Sequence, residues 1–250
     1  MPTESPNIND TFFEGIYKDV WRKLIPPGLS EAECDFIEDV AGLKKSDKIL
    51  DLMCGYGRHT LELAKRGYDI TAIDNSETYI SEINSVATEE KLSIKAFAVG
   101  ALEADLQEKY KAILCMGNSF AFFNRNEAAE LLKKLSSCLQ PDGILVINSW
   151  MVAEIAIKHF REKEWIEVDD YKYLMNYKFL FQPSRIESEH TIIGPDGCIE
   201  VINGVDYIFT LAELETMFLQ VGIATKALYS TPRKRPFKMG DNRIYIVAGK

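Results

Sequence analysis

The sequence predicts an α/β fold: a mostly parallel sheet of seven strands covered by helices on both faces, with a small antiparallel β insert. Three observations predict it. Residues 48–74 read as strand, glycine turn, helix and strand, ending on an acid. Strand and helix patterns then alternate as far as residue 148, which implies a parallel sheet buried on both faces. Between there and the next helix lie about sixty residues, too many for a plain connection, and much of that stretch has the period of two of extended chain.

In chain order, residues 1–9 are polar with two prolines and read as frayed. From Asp10 the apolar spacing is helical, with Phe13, Tyr17, Trp21 and Leu24 on one face, until Pro26-Pro27-Gly28 stops it. Ser30 and Glu33 have the spacing of a capping box for a second helix, with Phe36, Ile37 and Val40 as its apolar face and Gly42 at its end. The first stripe reads either as plain core or as a lid over a ligand. Tyr17 and Trp21, large flat rings with a polar edge, suit both.

Lys48–Leu52 has the length and apolar character of a buried strand. Cys54-Gly55-Tyr56-Gly57 follows, then a helix carrying Leu61, Leu63 and Ala64 and ended by Gly67. Asp69–Ile73 is the second strand and delivers Asp74. Glycines let a ligand approach the backbone, the helix start offers unpaired N–H groups, and the acid can accept hydrogen bonds from ribose hydroxyls. That is the grammar of a nucleotide-binding βαβ unit.

Asn75-Ser76 opens a third helix running to Thr88, and Leu92–Val99 and Lys111–Met116 are strands three and four. Asn126–Cys138 is an amphipathic helix, and Pro141-Asp142-Gly143 turns the chain into strand five, Ile144–Asn148. Ligands of such sheets collect beyond the carboxyl ends of the strands. Asp51–Gly57, Asp74–Ser76, Gly100–Leu102, Met116–Phe120 and Ser149–Trp150 are therefore expected around one site.

A dinucleotide fingerprint needs a third glycine where this chain has Thr60. The turn also follows Asp51, whose carboxylate repels a pyrophosphate and can hold an ammonium group. Asp51-x-x-Cys54-Gly55-x-Gly57 resembles motif I of the class I S-adenosylmethionine-dependent methyltransferases. The run from Cys54 to Ser76 resembles their small-molecule branch. This resemblance implies a Rossmann-like core closed by an antiparallel last strand, and S-adenosyl-L-methionine as cofactor. It implies cofactor contacts from Asp51, Cys54, Gly55, Gly57, Asp74, Asn75, Gly100, Ala101, Met116 and Asn118, with Tyr17 and Trp21 on a helix lying over the ligand.

Two strand ends bear on the substrate. Many relatives carry an acid after strand three that meets the adenine amino group. Here the chain reads Val99-Gly100-Ala101-Leu102, leaving that contact to backbone groups. After strand four, Met116-Gly117-Asn118-Ser119-Phe120 resembles the G-N-S-F segment of small-molecule methyltransferases. It departs from the N-P-P-Y type that serves DNA bases or protein glutamine.

The insert alternates at Tyr171, Tyr173, Met175, Tyr177 and Phe179, and again over Arg185–Ile193, where Ile186, Ser188, His190 and Ile192 share a face. Pro195-Asp196-Gly197 turns it into Cys198–Phe209. Three or more antiparallel strands result; in the resembled family such inserts cap the active site. A capping box at Thr210 and Glu213 opens a helix that stops at Gly222, and Ile223–Ser230 and Arg243–Ala248 are the last strands. The expected organisation is core at 1–150, lid at 151–209 and completion of the core at 210–250. Between the last strands, Pro232–Lys238 holds four positive charges, either a solvated tip or a grip on an anionic group of the substrate.

Composition narrows the function. A net charge of −9 argues against a nucleic-acid surface, and no apolar run approaches the ~18 residues of a membrane span. Five scattered cysteines without a C-x-x-C and an N-terminus without a secretory pattern fit a cytoplasmic protein. No metal cluster is visible. The expected function is methyl transfer to N or O of a small molecule, with oligomeric state open. His190 is the candidate general base, ahead of His159; His59 reads as support for the cofactor loop. The competing readings are an NAD-type oxidoreductase, a cofactor-holding protein without catalysis and, more remotely, a macromolecular methyltransferase.

Overall fold

Strands buried on both faces need apolar residues at successive positions, and the central strands have them. The computed structural model describes residues 7–250. Strand β1 (Lys48–Leu52) is flanked by β2 (Asp69–Asp74) and β4 (Tyr110–Cys115), all parallel. With β3 (Ile94–Ala98), β5 (Leu139–Ser149), β10 (Ala224–Tyr229) and β11 (Ile244–Gly249) the sheet has the order β10-β11-β5-β4-β1-β2-β3. Only β11 runs antiparallel to its neighbours. The predicted seven-stranded, mostly parallel sheet with an antiparallel last strand is what the chain forms.

Alternate strand residues serve opposite layers. Leu50, Leu52, Ile113, Leu145 and Ile246 pack on Leu131 and Leu135 of α5 (Arg125–Cys138) and Phe218 of α7 (Leu211–Gln220). Ile49, Leu114, Val146 and Val247 pack on Phe36 and Ile37 of α2 (Leu29–Ala41) and Leu63 of α3 (Arg58–Lys65). The capping box at Thr210 and Glu213 forms as expected, and α5 has its own from Asn124 and Glu127.

After β5 a short helix, α6 (Ala153–His159), leads into an antiparallel sheet of β6 (Lys163–Val168), β7 (Tyr171–Phe181), β8 (Ser184–Ile193) and β9 (Ile199–Tyr207). Ile186, Ser188, His190 and Ile192 share the inner, buried face, as their alternation predicts. That face packs on Phe12, Tyr17 and Val20 of the N-terminal segment.

Several expectations are corrected. The frayed start expected over 1–9 lies outside the described residues as far as residue 6, and Asn7 and Asn9 are anchored. Asn7 donates to the Phe122 carbonyl at 3.0 Å, while the Asn9 amide donates to and accepts from the Val205 backbone at 2.8 and 2.9 Å. The helix expected from Asp10 is split into a 3-10 turn at Ile8–Thr11 and α1 (Tyr17–Leu24). Gly15 is left-handed with the Glu200 carboxylate against it, and that carboxylate accepts the Ile16 N–H. The box at Ser30 and Glu33 does not form: α2 starts behind a left-handed Gly28, and Glu33 is buried in an ion pair. β5 begins at Leu139 and runs through Pro141-Asp142-Gly143, and β6 is a strand the alternation had not revealed.

Candidate active site

The carboxyl ends of β1, β2, β3 and β4 open into one cavity of about 600 Å³, within the range of small-molecule sites. Its floor is the turn after β1. Met53, Gly55 and Gly57 are all left-handed there, and a Cβ on Gly57 would lie 2.7 Å from the Ile83 side chain. Only glycine fits that close passage over α4 (Glu77–Glu90).

Two acids stand on either side of this turn. Asp51 is 1% exposed and accepts the Thr60 hydroxyl at 2.6 Å. Thr60, the residue that breaks the dinucleotide fingerprint, thus fixes the acid at the end of β1. Burial raises the Asp51 pKa, with His59, Thr60 and Arg58 pulling against it. Asp74 accepts the Gly55 N–H at 2.8 Å and the Ser76 N–H at 2.9 Å. Burial raises its pKa also, and those two bonds oppose the rise. Each carboxylate keeps lone pairs for a ligand.

Beyond β3, Gly100 and Ala101 line the cavity, and so does Glu103. The Glu103 carboxylate occupies the space a Cβ on Gly100 would need. An acid three residues downstream therefore stands at the strand end where the sequence has none. Its signal was present in the sequence, offset by one turn of chain.

The N-terminal segment closes the other side. Asn9, Asp10, Phe13 and Trp21 line the cavity, and Asn75 donates to the Asp10 carbonyl at 3.0 Å. Arg22 holds α1 down, with its guanidinium 4.8 Å from the Tyr56 ring centre and 5.5 Å from that of Tyr79, and an ion pair to Glu82. The lid and core readings of the aromatic stripe divide between residues. Phe13 and Trp21 face the cavity, whereas Tyr17 is buried behind Trp21 against the insert.

Of the other expected residues, Cys54, Gly55, Asn75 and Met116 line the cavity, while Gly57 supports it from below. Gly117 and Ser119 also line it, but the side chain of Asn118 between them is buried and does not line it. Its amide oxygen accepts from the Ser149 hydroxyl at 2.8 Å and the Trp150 N–H at 3.2 Å, and its nitrogen donates to Asp206 at 2.9 Å. His190 does not line the cavity. It bonds to the Tyr173 hydroxyl in an aromatic cluster with Phe12, and burial lowers its pKa to about 4. His59 lines the cavity and reaches Glu33 at 2.9 Å, consistent with support of the loop. The basic loop is on the ligand side, but Lys234 is held by Asp39 and Arg235 by Asp241, and none of its residues lines the cavity.

The cavity also has one orphan. The Tyr79 hydroxyl is buried on its wall without a hydrogen-bond partner among the described residues. A polar ligand fits this set of groups better than an apolar one. No group of metal-ligating side chains occurs among the described residues, and no described helix is long and apolar enough to cross a membrane.

This strand order, with an acid and a two-glycine turn at the first strand and an acid after the second, defines a class I S-adenosylmethionine-dependent methyltransferase fold. The CcbJ methyltransferase of Streptomyces caelestis has the same fold at a TM-score of 0.80, with 18% identity over 92% of this chain and 94% of that one. More particularly, the chain belongs to the family of the tellurite resistance protein TehB, whose sequence profile matches residues 28–159, more than half of its length. A glycine/sarcosine N-methyltransferase of Halorhodospira halochloris is 26% identical over 149 residues, 58% of this chain and 55% of that protein. The probable S-adenosyl-L-methionine-dependent methyltransferase TehB of Haemophilus influenzae is 33% identical over 115 residues, 46% of this chain and 40% of that protein. The chain thus matches about half the length of these curated relatives.

Proposed function

We propose that the protein uses S-adenosyl-L-methionine to methylate N or O of a small-molecule acceptor. The observation that carries this reading is the buried Asp51, fixed by Thr60 beside the glycine turn and facing one cavity with Asp74. Asp51 holds the amino group of the methionine part and Asp74 the ribose hydroxyls. Glu103, with the Ala101 and Leu102 backbone, takes the adenine edge. Phe13, Trp21 and Met116 supply apolar walls, and the Tyr79 hydroxyl gains a polar partner. A pyrophosphate would have to sit beside two buried carboxylates, which disfavours the NAD reading.

Bound in this way, the cofactor supplies a methyl group already activated by its sulfonium. The protein's part is to orient donor and acceptor and exclude water. Segment 151–209, as the lid, covers the acceptor. His190, buried and bonded to Tyr173 away from the cavity, is too weak a base at its lowered pKa to carry the reaction at neutral pH. Glu103 at the end of β3 supports the catalytic reading over that of a degenerate, non-catalytic relative. Unpaired thiols at all five cysteines fit a reducing, cytoplasmic setting.

The test is acceptor-dependent turnover. Incubation with labelled S-adenosyl-L-methionine and a panel of small amines and alcohols is expected to release S-adenosylhomocysteine with at least one of them. Cofactor binding without turnover on any member of the panel would favour the non-catalytic reading.

A further inference from the structure

A second, smaller cavity of about 300 Å³ opens at the same edge of the large sheet. Trp150 of its lining follows β5, Ser230 and Thr231 follow β10, and Arg243 precedes the antiparallel β11. Among the described residues none lines both cavities, yet their walls touch. The Trp150 ring lies 6.3 Å, centre to centre, from that of Trp21 in the larger one. Tyr245 of the smaller cavity donates to Glu33, which pairs with Arg58 of the larger. Arg243 is the one charged residue in the lining of the smaller cavity.

That arginine is the exception of its kind. Arg22, Arg58, Arg66 and Arg185 are the other part-buried arginines, and each pairs with a carboxylate. Arg243 pairs with none among the described residues. Its guanidinium stands over the Trp150 ring, 5.6 Å from the centre, and beside the Tyr245 hydroxyl, whose proton is given to Glu33. The acid closest to it in the chain, Asp241, is held by Arg235 and by the Lys238 N–H at 2.8 Å. Stacked on an indole, a guanidinium keeps the N–H groups of its edge for a carboxylate, which it can hold by two parallel bonds.

A cation that has lost part of its water and gained no counter-ion is complementary to an anion. Leu29, Pro232 and Trp150 give the same cavity apolar walls. One cation matches a single negative charge, and the apolar walls favour an organic anion over an inorganic one. We infer that the smaller cavity binds a small organic acid, with its carboxylate on Arg243 and its apolar body against Leu29, Pro232 and Trp150. The inference goes beyond methyl transfer and does not rest on it, because the cavity is separate from the one proposed for the cofactor.

The probe is sodium benzoate, titrated into ¹⁵N-labelled wild-type protein with sodium chloride keeping the ionic strength fixed. The signal followed is the Trp150 indole N–H, assigned by its loss in Trp150→Phe. Benzoate is expected to move it to saturation. Benzamide, which has the same shape without the charge, should bind about 10- to 100-fold more weakly, the loss expected for a charge-assisted pair. Arg243→Gln should lose benzoate affinity to the same extent and keep its affinity for benzamide. Equal affinities of the wild type for benzoate and benzamide would overturn the proposal, as would benzoate binding undiminished in Arg243→Gln. Should that variant fail to fold, the comparison of the two probes on wild-type protein decides alone. A shift reproduced by sodium chloride in place of benzoate would show an unspecific anion effect and sink the organic-acid site.

Discussion

Asp51→Asn is expected to weaken binding of S-adenosylhomocysteine by a factor of about 30 to 1,000. That range corresponds to roughly 2–4 kcal/mol for losing one side of a buried, charge-assisted pair. The substitution keeps the volume and an acceptor for the Thr60 hydroxyl, so the glycine turn has no reason to collapse. Stability separates this account from a structural role. A carboxyl whose pKa is raised on folding binds its proton more tightly in the native state. Its ionised form therefore costs stability as pH rises through the folded pKa. Without ligand, Asp51→Asn should melt no lower than the wild type at neutral pH, and any gain should shrink as the pH is lowered. Thermal melts with and without S-adenosylhomocysteine read both effects. A variant that melts lower yet still binds would assign Asp51 to the fold and not to the ligand.

Glu33→Ala is expected to destabilise the protein by about 3–5 kcal/mol, because it leaves a buried cationic group unpaired. In a chain of this size that lowers the melting temperature by on the order of 10 °C. Glu33 is fully buried and accepts from Arg58, from His59 at 2.9 Å and from the Tyr245 hydroxyl at 2.6 Å. It ties α2, α3 and β11 together behind the cavity. Burial pushes its pKa up, but the bond and charge of His59, then Arg58 and Tyr245, outweigh burial and hold it at about 2. With the folded pKa depressed, its contribution is complete above the unfolded value near 4.5 and is lost as pH falls from there toward 2. The gap between wild type and Glu33→Ala should therefore close in acid. A gap independent of pH would mean the loss is one of packing.

The parts of this molecule legible in its sequence are those where one strong requirement acts locally. Lys48–Leu52 and Asp69–Asp74 carry apolar residues on both faces between their polar ends because helices cover both faces, and the close left-handed passage at Gly57 had to be glycine. Thr210 with Glu213 announced a helix for the same reason: both partners lie in one turn of chain. Ser30 and Glu33 carry the same spacing, yet Glu33 is claimed by Arg58, His59 and Tyr245, residues distant in sequence. A tertiary ion pair overrode the local signal. β6 was missed because most of its residues are exposed and only Ile166 and Val168 mark its inward face, too short an alternation to reveal it. The alternation of β8 placed His190 on the inward face correctly, but its pairing with Tyr173 depends on the register between β7 and β8. Arg243 was invisible for a related reason: one arginine before a strand acquires meaning only when Trp150 is seen to meet it.

The most direct test of the account is calorimetric titration of the wild-type protein with S-adenosylhomocysteine, with NAD as the comparison. The cavity after β1, with its two buried acids, predicts saturable one-to-one binding of S-adenosylhomocysteine and no heat from NAD beyond dilution. Saturable binding of NAD without binding of S-adenosylhomocysteine would contradict it.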